Sequence, residues 1–422
     1  MRDALILRGL RKSSWNDIQP NDKDRKCLKG DDAVELWQEG KDVWNKWVEE
    51  NPEADIDFRG VNFSKLRKDE KSTISFSEFT FPNGNVCFAT AIFGDGNVNF
   101  DSVTFGDGQV DFESANFGEG IVDFSDAIFG NGEVSFEGAI FGNGDVSFES
   151  ATFGEGSVMF DNTSFGDGNV LFSRVFFGFG DVNFSNAKFN GKFVLQNCQN
   201  SEGIESLTFQ NCTFKDAIII KNIRLNCVMD IVNSSLTNPI SLHGLTCCLQ
   251  REKNKWGVKI LKDLDDIERL TRLKELAEAS KDHEQALAFH ADEQRAKRWV
   301  KRGVLPSLLD MTFSGACNYG QSILRPFILL VISILMFAIP YTLQSNSPEL
   351  AMNFNSEILI FSTANSIPFL TSARGAREHG IKQFFEGQET IPRVYALMIL
   401  QGVVSFILLF LIGLGLKNRF RI

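Results

Sequence analysis

Three sets of residues in this 422-residue chain have the types and spacing to do chemistry. The first is the glycine-rich stretch FGDGNVNF (93–100), because Gly-Asp-Gly turns bring backbone N–H groups close to a phosphate. The second is a series of carboxylates next to such glycines, Asp95, Asp107, Glu119, Glu155 and Asp167. Hard cations such as calcium favour clustered carboxylates. The third lies in apolar sequence near the C-terminus: Ser362, Thr363, Asn365, Ser366, Gln401 and Ser405. Polar side chains in an apolar helical stretch face a bundle interior or a water-filled cavity, so these six are candidates for lining a pore.

Counting removes the phosphate loop. Phe recurs at 93, 105, 117, 129, 141, 153, 165, 177 and 189, and again at 88, 100, 112, 124, 136, 148, 160, 172 and 184. A phosphate loop occurs once, after a strand and before a helix. Self-similarity at a fixed step of twelve, with no helical segment between copies, is the pattern of a solenoid. The glycines are architecture, expected to permit tight corners with positive φ.

The carboxylate column has competing readings. Asn131 and Asn143 interrupt it and Phe179 breaks it, against a calcium ladder. Acidic residues also keep a stacked β-rod soluble and deter edge pairing. Between Phe93 and Asn186 there are sixteen Asp or Glu and one Arg, Arg174, so direct nucleic-acid binding by this face is not expected. The net charge of the whole chain is −11. The eight cysteines form no CxxC pair, and His283 and His290, seven apart, have no Cys or carboxylate in zinc register. With no Ser/His/Asp set and no special carboxylate pair, an enzyme, a metal and a cofactor are all unexpected. The N-terminus MRDALILRGLRKSSWND lacks the apolar run and cleavage site of a secretory signal. The solenoid is therefore expected in the cytosol, with reduced thiols.

One repeat reads FG-D/E/N-G-x-V-x-F-x-x-A-x, and Val or Ala two positions before Phe places both on the inner side of a short strand. The Phe spacing alternates 5 and 7, so units such as VNFDS and VTFGD lie end to end with two residues inserted every second unit. Upstream, IDFRG and VNFSK (56–65) show the unit without the insertion. These residues resemble the pentapeptide-repeat family, and the lead-in GKDVWNKWVEENPEADIDFRGVNF (40–63) is similar to the helical opener of such proteins. The resemblance implies a right-handed, four-sided β-helix with the central Phe stacked inside. The inserted GxGx departs from the family, giving a coil of 24 residues; a flat coil of twelve also satisfies the arithmetic.

From Lys259 the period changes to 3–4 spacing, Ile260, Leu264, Ile267, Leu270 and Leu273, predicting an amphipathic helix. A second helix is expected over 284–302 after a break at Ser280-Lys281-Asp282. The stretch RLKELAEASKDHEQALAFHADEQRAKR resembles the helical connector of pentapeptide-repeat proteins that carry a membrane domain. The expected organisation is an N-terminal helical cap (1–54), the solenoid (55–235), a helical connector (236–303) and a transmembrane domain (304–422).

Within that last region two stretches, about 322–343 and 394–416, are long and apolar enough to span a bilayer. Arg295, Lys297, Arg298, Lys301 and Arg302 precede the first, and Lys417, Arg419 and Arg421 follow the second. By the positive-inside rule both termini are cytoplasmic, although Arg374, Arg377, Lys382 and Arg393 lie in the connection. SEILIFSTANSIPFLTSARG (356–375) supplies a shorter apolar helix, over about 356–370 a re-entrant segment, followed by polar residues and Pro368. Span, re-entrant helix, polar turn, span is the layout of two-helix tetrameric cation channels, and the stretch looks like their pore loop. No GYG or GFG filter follows it, so potassium selectivity by carbonyl rings is not implied. Gln401 and Ser405 share one helix face, either towards a pore or in an interhelical hydrogen bond. Gly402, Gly413 and Gly415 are expected to allow close packing or a hinge.

The expected fold class is thus a β-solenoid, an α-helical linker and an α-helical two-span domain. The expected function is a homo-oligomeric ion channel or pore, tetrameric by the channel resemblance, in the bacterial plasma membrane. Its acidic solenoid would sense a cytosolic ligand or protein partner, and a ligand-triggered defence effector fits that layout. The alternatives are a membrane-tethered acidic scaffold for a protein partner, or a DNA-mimicking topoisomerase inhibitor, as some pentapeptide-repeat proteins are.

Overall fold

A computed structural model describes residues 25–69, 72–255, 257–345, 356–367, 369–385 and 391–420. Residues 1–24 of the expected N-terminal cap, Pro368 of the expected re-entrant segment and Arg421 of the C-terminal basic flank lie outside them. The chain divides into two compact units, Met1–Glu252 with Lys262–Ala286, and Lys253–Leu261 with Leu287–Ile422.

The first unit is a β-solenoid. Two-residue strands pair in parallel with the strand 24 residues further on: Val98 with Val122, Val122 with Val146, Val110 with Val134 and Val134 with Val158. Two further ladders run through Ile92, Asn116 and Ile140, and through Thr80, Thr104, Ile128, Thr152 and Phe176. One coil therefore has 24 residues and four ladders, and the flat twelve-residue coil is excluded. The ladders continue past residue 235, the expected end of the solenoid, to Ile240–Ser241 and to Leu245–Cys247.

Alternation puts Val98 and Phe100 inside, 1% and 0% exposed, with Asn99 between them half-buried. Each Phe then stacks on its equivalent one coil away: Phe88 on Phe112 and Phe112 on Phe136, both at 4.9 Å and within 4° of parallel. Adjacent columns meet edge to face, as Phe100 and Phe112 do at 5.5 Å and 84°. Both arrangements suit the ring quadrupole, and 24-residue repetition supplies them in every coil.

The role expected for the GxG glycines is corrected. Gly94 and Gly118 do have positive φ, at 78° and 69°, but at most of the others the requirement is close approach. A Cβ on Gly132 would lie 2.0 Å from the carbonyl oxygen of Gly108, one coil below. The left-handed corners fall instead on Thr90, Ser102, Ser114, Asp126, Ser150 and Asn162. Left-handed backbone costs a non-glycine residue about 1–2 kcal/mol. Here a local bond offsets part of that: Asn99 Oδ1 accepts the N–H of Asp101 at 2.7 Å, and Asp123 Oδ1 that of Ser125 at 2.9 Å. The corner residue also donates to the next coil, Ser102 N–H to Ser125 O at 2.9 Å.

Both ends of the Phe columns are covered. At the start lie α1 (Asp31–Gln38) and α2 (Lys41–Glu50), the latter within the lead-in 40–63. Trp44 is fully buried, packs on Phe58 and Phe81, and donates its indole N–H to Thr80 O at 2.9 Å. At the far end α3 (Asp266–Ala279) packs on the last coils through Ile267, Leu270 and Leu273. Arg269 binds Asp230, Asp263 and Asp266 there. The helix predicted from Lys259 begins later: Lys259–Leu261 is a strand and Leu264 is exposed. Asp265, Asp266 and Glu268 crowd the start of α3, where acidic residues suit the positive end of the helix dipole. After the break at Ser280-Lys281-Asp282 comes α4 (His283–Lys297), shorter than expected.

The second unit is helical. It contains α5 (Val304–Cys317), α6 (Leu324–Leu343), α7 (Ser356–Ser366), α8 (Thr371–Phe385) and α9 (Ile391–Arg419). Two helices, Leu324–Leu343 and Pro392–Arg419, are long and apolar enough to cross a membrane. Helix α6 packs along α9, and α7 lies against both. Neither α5 nor α8 was expected as a separate helix.

Candidate functional site

The polar residues singled out near the C-terminus converge on one place. From α9, Gln401 donates through Nε2 to the backbone oxygen of Ser362 (2.9 Å), to Ser362 Oγ (2.8 Å) and to Ser366 Oγ (3.0 Å), all on α7. Its Oε1 accepts the hydroxyl of Tyr341, on α6, at 2.9 Å. Asn365 Nδ2 reaches the same hydroxyl at 3.5 Å. Ser362 Oγ in turn donates to Ile334 O on α6 at 2.8 Å. One amide thus ties the two long helices to the short one between them.

Ser362, Ser366, Gln401 and Ser405 are fully buried and Asn365 is 3% exposed. As folded, Ser362, Asn365, Ser366 and Gln401 are engaged with one another and with Tyr341, and lining a lumen with them requires the helices to part. Thr363 is half-buried and bonds to Leu359 O in its own helix at 2.8 Å. Ser405 Oγ, and Ser333 Oγ on α6, are buried with no hydrogen-bond partner among the described residues. An unmet hydroxyl in an apolar surrounding marks a place for water or for an altered packing.

Around this network is an apolar shell of Ala338, Ile358, Phe361, Phe384, Phe385 and Val394. Phe361 presses against Gly380 of α8, where a Cβ would come within 2.4 Å of its ring. The glycines of α9 differ. Gly415 lies tight against Ile323, whereas Gly402 and Gly413 have open space beside them.

Sequence reasoning missed Tyr341, the group that joins α6 to Gln401. Its signal was present, a single Tyr inside PFILLVISILMFAIPYTL. Being aromatic, it reads as part of the apolar run until its hydroxyl is given a partner.

The acidic corners have a different role. Asp107 Oδ1 accepts the N–H of Asn131 at 3.1 Å, Asn131 Oδ1 that of Glu155 at 3.2 Å, and Glu119 Oε2 that of Asn143 at 3.0 Å. Asn and Asp alternate without penalty because each need only accept. Phe179, in the same column, is 60% exposed. His290 lies beside Glu293, at 3.6 Å. All eight cysteines are free thiols. Burial pushes the Cys198 and Cys212 thiols up to about 12 and those of Cys87 and Cys227 up to about 11, which keeps them protonated and unreactive at neutral pH. Compared with family models, curated proteins and solved structures, the chain matches none.

Proposed function

We propose that this chain is the protomer of an oligomeric membrane pore whose solenoid, a right-handed pentapeptide-repeat β-helix, acts as a cytosolic sensor. The observation that carries the reading is α7, an eleven-residue helix held between two membrane-length helices by Gln401, Tyr341, Ser362 and Ser366. A simple anchor requires one span and no such helix. The placing of the short α7 between α6 and α9, with the more polar α8 completing the connection, supports assignment of α7 as the re-entrant segment. Two spans cannot enclose a lumen alone, so the pore is formed by several copies, four by analogy with two-helix channels.

In this scheme opening parts α7 from α9, and water replaces the bonds of Gln401, as an amide in the membrane interior allows at a net loss of about 1 kcal/mol or less per bond. Basic residues before α6 and after α9 support a cytoplasmic side for both termini. The trigger is a ligand or protein bound by the acidic solenoid, as in a bacterial defence effector that kills its own cell. Conductance of the purified protein in planar bilayers tests the reading, with Gln401→Leu and Asn365→Ala beside the wild type. Discrete currents whose open probability changes in either variant support it. Absence of current together with a monomeric mass in detergent sinks it.

A membrane-tethered acidic scaffold is the second reading, favoured by the closure of the polar network within one chain. Pull-down of a basic protein partner by a protein that conducts no current would select it. Inhibition of a topoisomerase at high salt would select the DNA-mimic alternative.

A further inference from the structure

Helix α5 is built inside out. Its inward stripe is polar, with Ser307, Asp310 and Cys317 buried. Its outward face carries Val304, Leu305, Leu308, Leu309 and Met311, which are 69%, 68%, 47%, 62% and 44% exposed. Asp310 is the one charged residue of the helix, and it is closed off. Arg298 Nε and the Tyr319 hydroxyl donate to its Oδ2 at 2.7 and 2.8 Å, and Arg302 Nη1 to its Oδ1 at 2.9 Å. Ser307 Oγ accepts the Trp299 N–H at 3.2 Å. A water-facing helix would have these two faces exchanged.

Fourteen residues make a helix of about 21 Å, too short for a hydrocarbon core of about 30 Å. A helix with one apolar face and a basic surround lies in the plane of the membrane interface. The surround is present. Lys301 is exposed just before α5, and Arg325 is exposed at the start of α6. The end of α9 joins them, because Asn418 Nδ2 bonds to Gly320 O in the α5–α6 turn at 3.1 Å, and Lys417 and Arg419 beside it are exposed. The apolar face also continues into exposed Leu324 and Phe327 at the start of α6.

We infer that α5 is an interfacial helix that buries its Val304–Leu309 face at the headgroup boundary of a bilayer and selects anionic lipid through Lys301, Arg325, Lys417 and Arg419. The inference rests on the membrane reading above. Each basic residue near an anionic surface contributes about 1 kcal/mol, so four distinguish anionic from neutral lipid.

The test uses the full chain, with Cys27→Ser to remove the exposed thiol, reconstituted in phosphatidylglycerol–phosphatidylcholine vesicles. Nitroxide labels on Leu309→Cys, Met336→Cys and Ile140→Cys report depth through collision with oxygen against a nickel chelate. The expected result is Leu309 about 5–10 Å below the phosphates, Met336 near the bilayer centre and Ile140 in water. In pure phosphatidylcholine, or with Lys301→Gln, Lys417→Gln and Arg419→Gln, the Leu309 label should rise towards water by several ångströms. Equal depth in both lipids overturns the anionic selectivity. A Leu309 label in water with Met336 deep overturns the inference and leaves the membrane reading intact. Both labels in water overturn the two together. Spin–spin broadening between Leu309 labels shielded from oxygen and nickel shows that a second copy covers the face, which also overturns it.

Discussion

In the solenoid, Phe124 and Phe148 are buried while Asp123 and Ser147 beside them face outward. In the helical unit the pattern is reversed: Met336 and Phe406 are 64% and 66% exposed, and Gln401, Ser362 and Ser405 are buried. On the membrane location proposed above, both follow one rule, that a side chain goes where its surroundings match it, applied against different solvents. Water around the solenoid drives Phe inward. Hydrocarbon, the surroundings proposed above for the helical unit, would give no such drive, and helices there would be joined by the few polar groups that have no better partner outside. The same contrast sets the many equivalent rings of the solenoid against the one amide whose four bonds tie α6, α7 and α9.

The comparison can be broken at several points, the largest effect first. Gly132→Val places atoms within 2.0 Å of the Gly108 carbonyl, so the coils must separate. We expect more than about 4 kcal/mol of destabilisation, outside the usual range for single substitutions. Circular dichroism should show loss of the β signal with the helical signal kept; loss of both would mean that the units unfold as one.

Phe124→Ala opens a hole inside the solenoid and interrupts two stacked neighbours, at 4.8 and 5.0 Å. A loss of roughly 3–5 kcal/mol in denaturant unfolding is expected. A loss below about 1 kcal/mol would show that the columns slide to fill the gap.

The contrast between solvents is sharpened by placing lysine on each outer surface. Met336→Lys should cost about 2.5–3.5 kcal/mol in a bilayer, whereas Ile140→Lys, outward on the solenoid and 49% exposed, should stay within about 0.5 kcal/mol. Equal effects on folding in lipid would contradict a membrane location for α6.

The smallest effect concerns pH. Burial, together with the nearby Glu137 carboxylate, raises the Asp161 carboxyl to about 6. Its folded form holds the proton more tightly than the unfolded chain, so stability falls as pH rises from about 4 to about 6 and is flat above. Asp161→Asn, which keeps the size, should recover about 1 kcal/mol at pH 7 and flatten that slope. A steeper slope in the variant would assign the loss to another group.

Much of the solenoid was legible because its cause is local. Alternation decides which side of a strand faces inward, and the 5 and 7 spacing of Phe carries the repeat, leaving open whether its rings form two columns or four. The glycines were misread because positive φ is a property of one residue, whereas a Cβ at Gly132 is excluded by a carbonyl 24 positions away. The corners at Ser102 and Ser114 were invisible for the related reason that a left-handed serine is held there by bonds from another coil. The start of α3 was misplaced because Ile260 and Leu264 satisfy helical spacing by coincidence, and strand pairing took the first of them. In the helical unit the polar residues were found but Tyr341 was not, since no spacing rule links a hydroxyl on α6 to an amide on α9.

What the sequence determined by itself is therefore the repeat, its inward Phe and Val, and the presence of two long apolar helices. These depend on the period of the chain and on side-chain transfer free energies, which act residue by residue. Only the tertiary structure decided the 24-residue coil, the glycines on which coil spacing depends, the closure of Gln401 with Tyr341 and Ser362, and the outward apolar face of α5. Each of these depends on atoms brought together from distant parts of the chain, where contact and hydrogen-bond geometry, rather than composition, determine what fits.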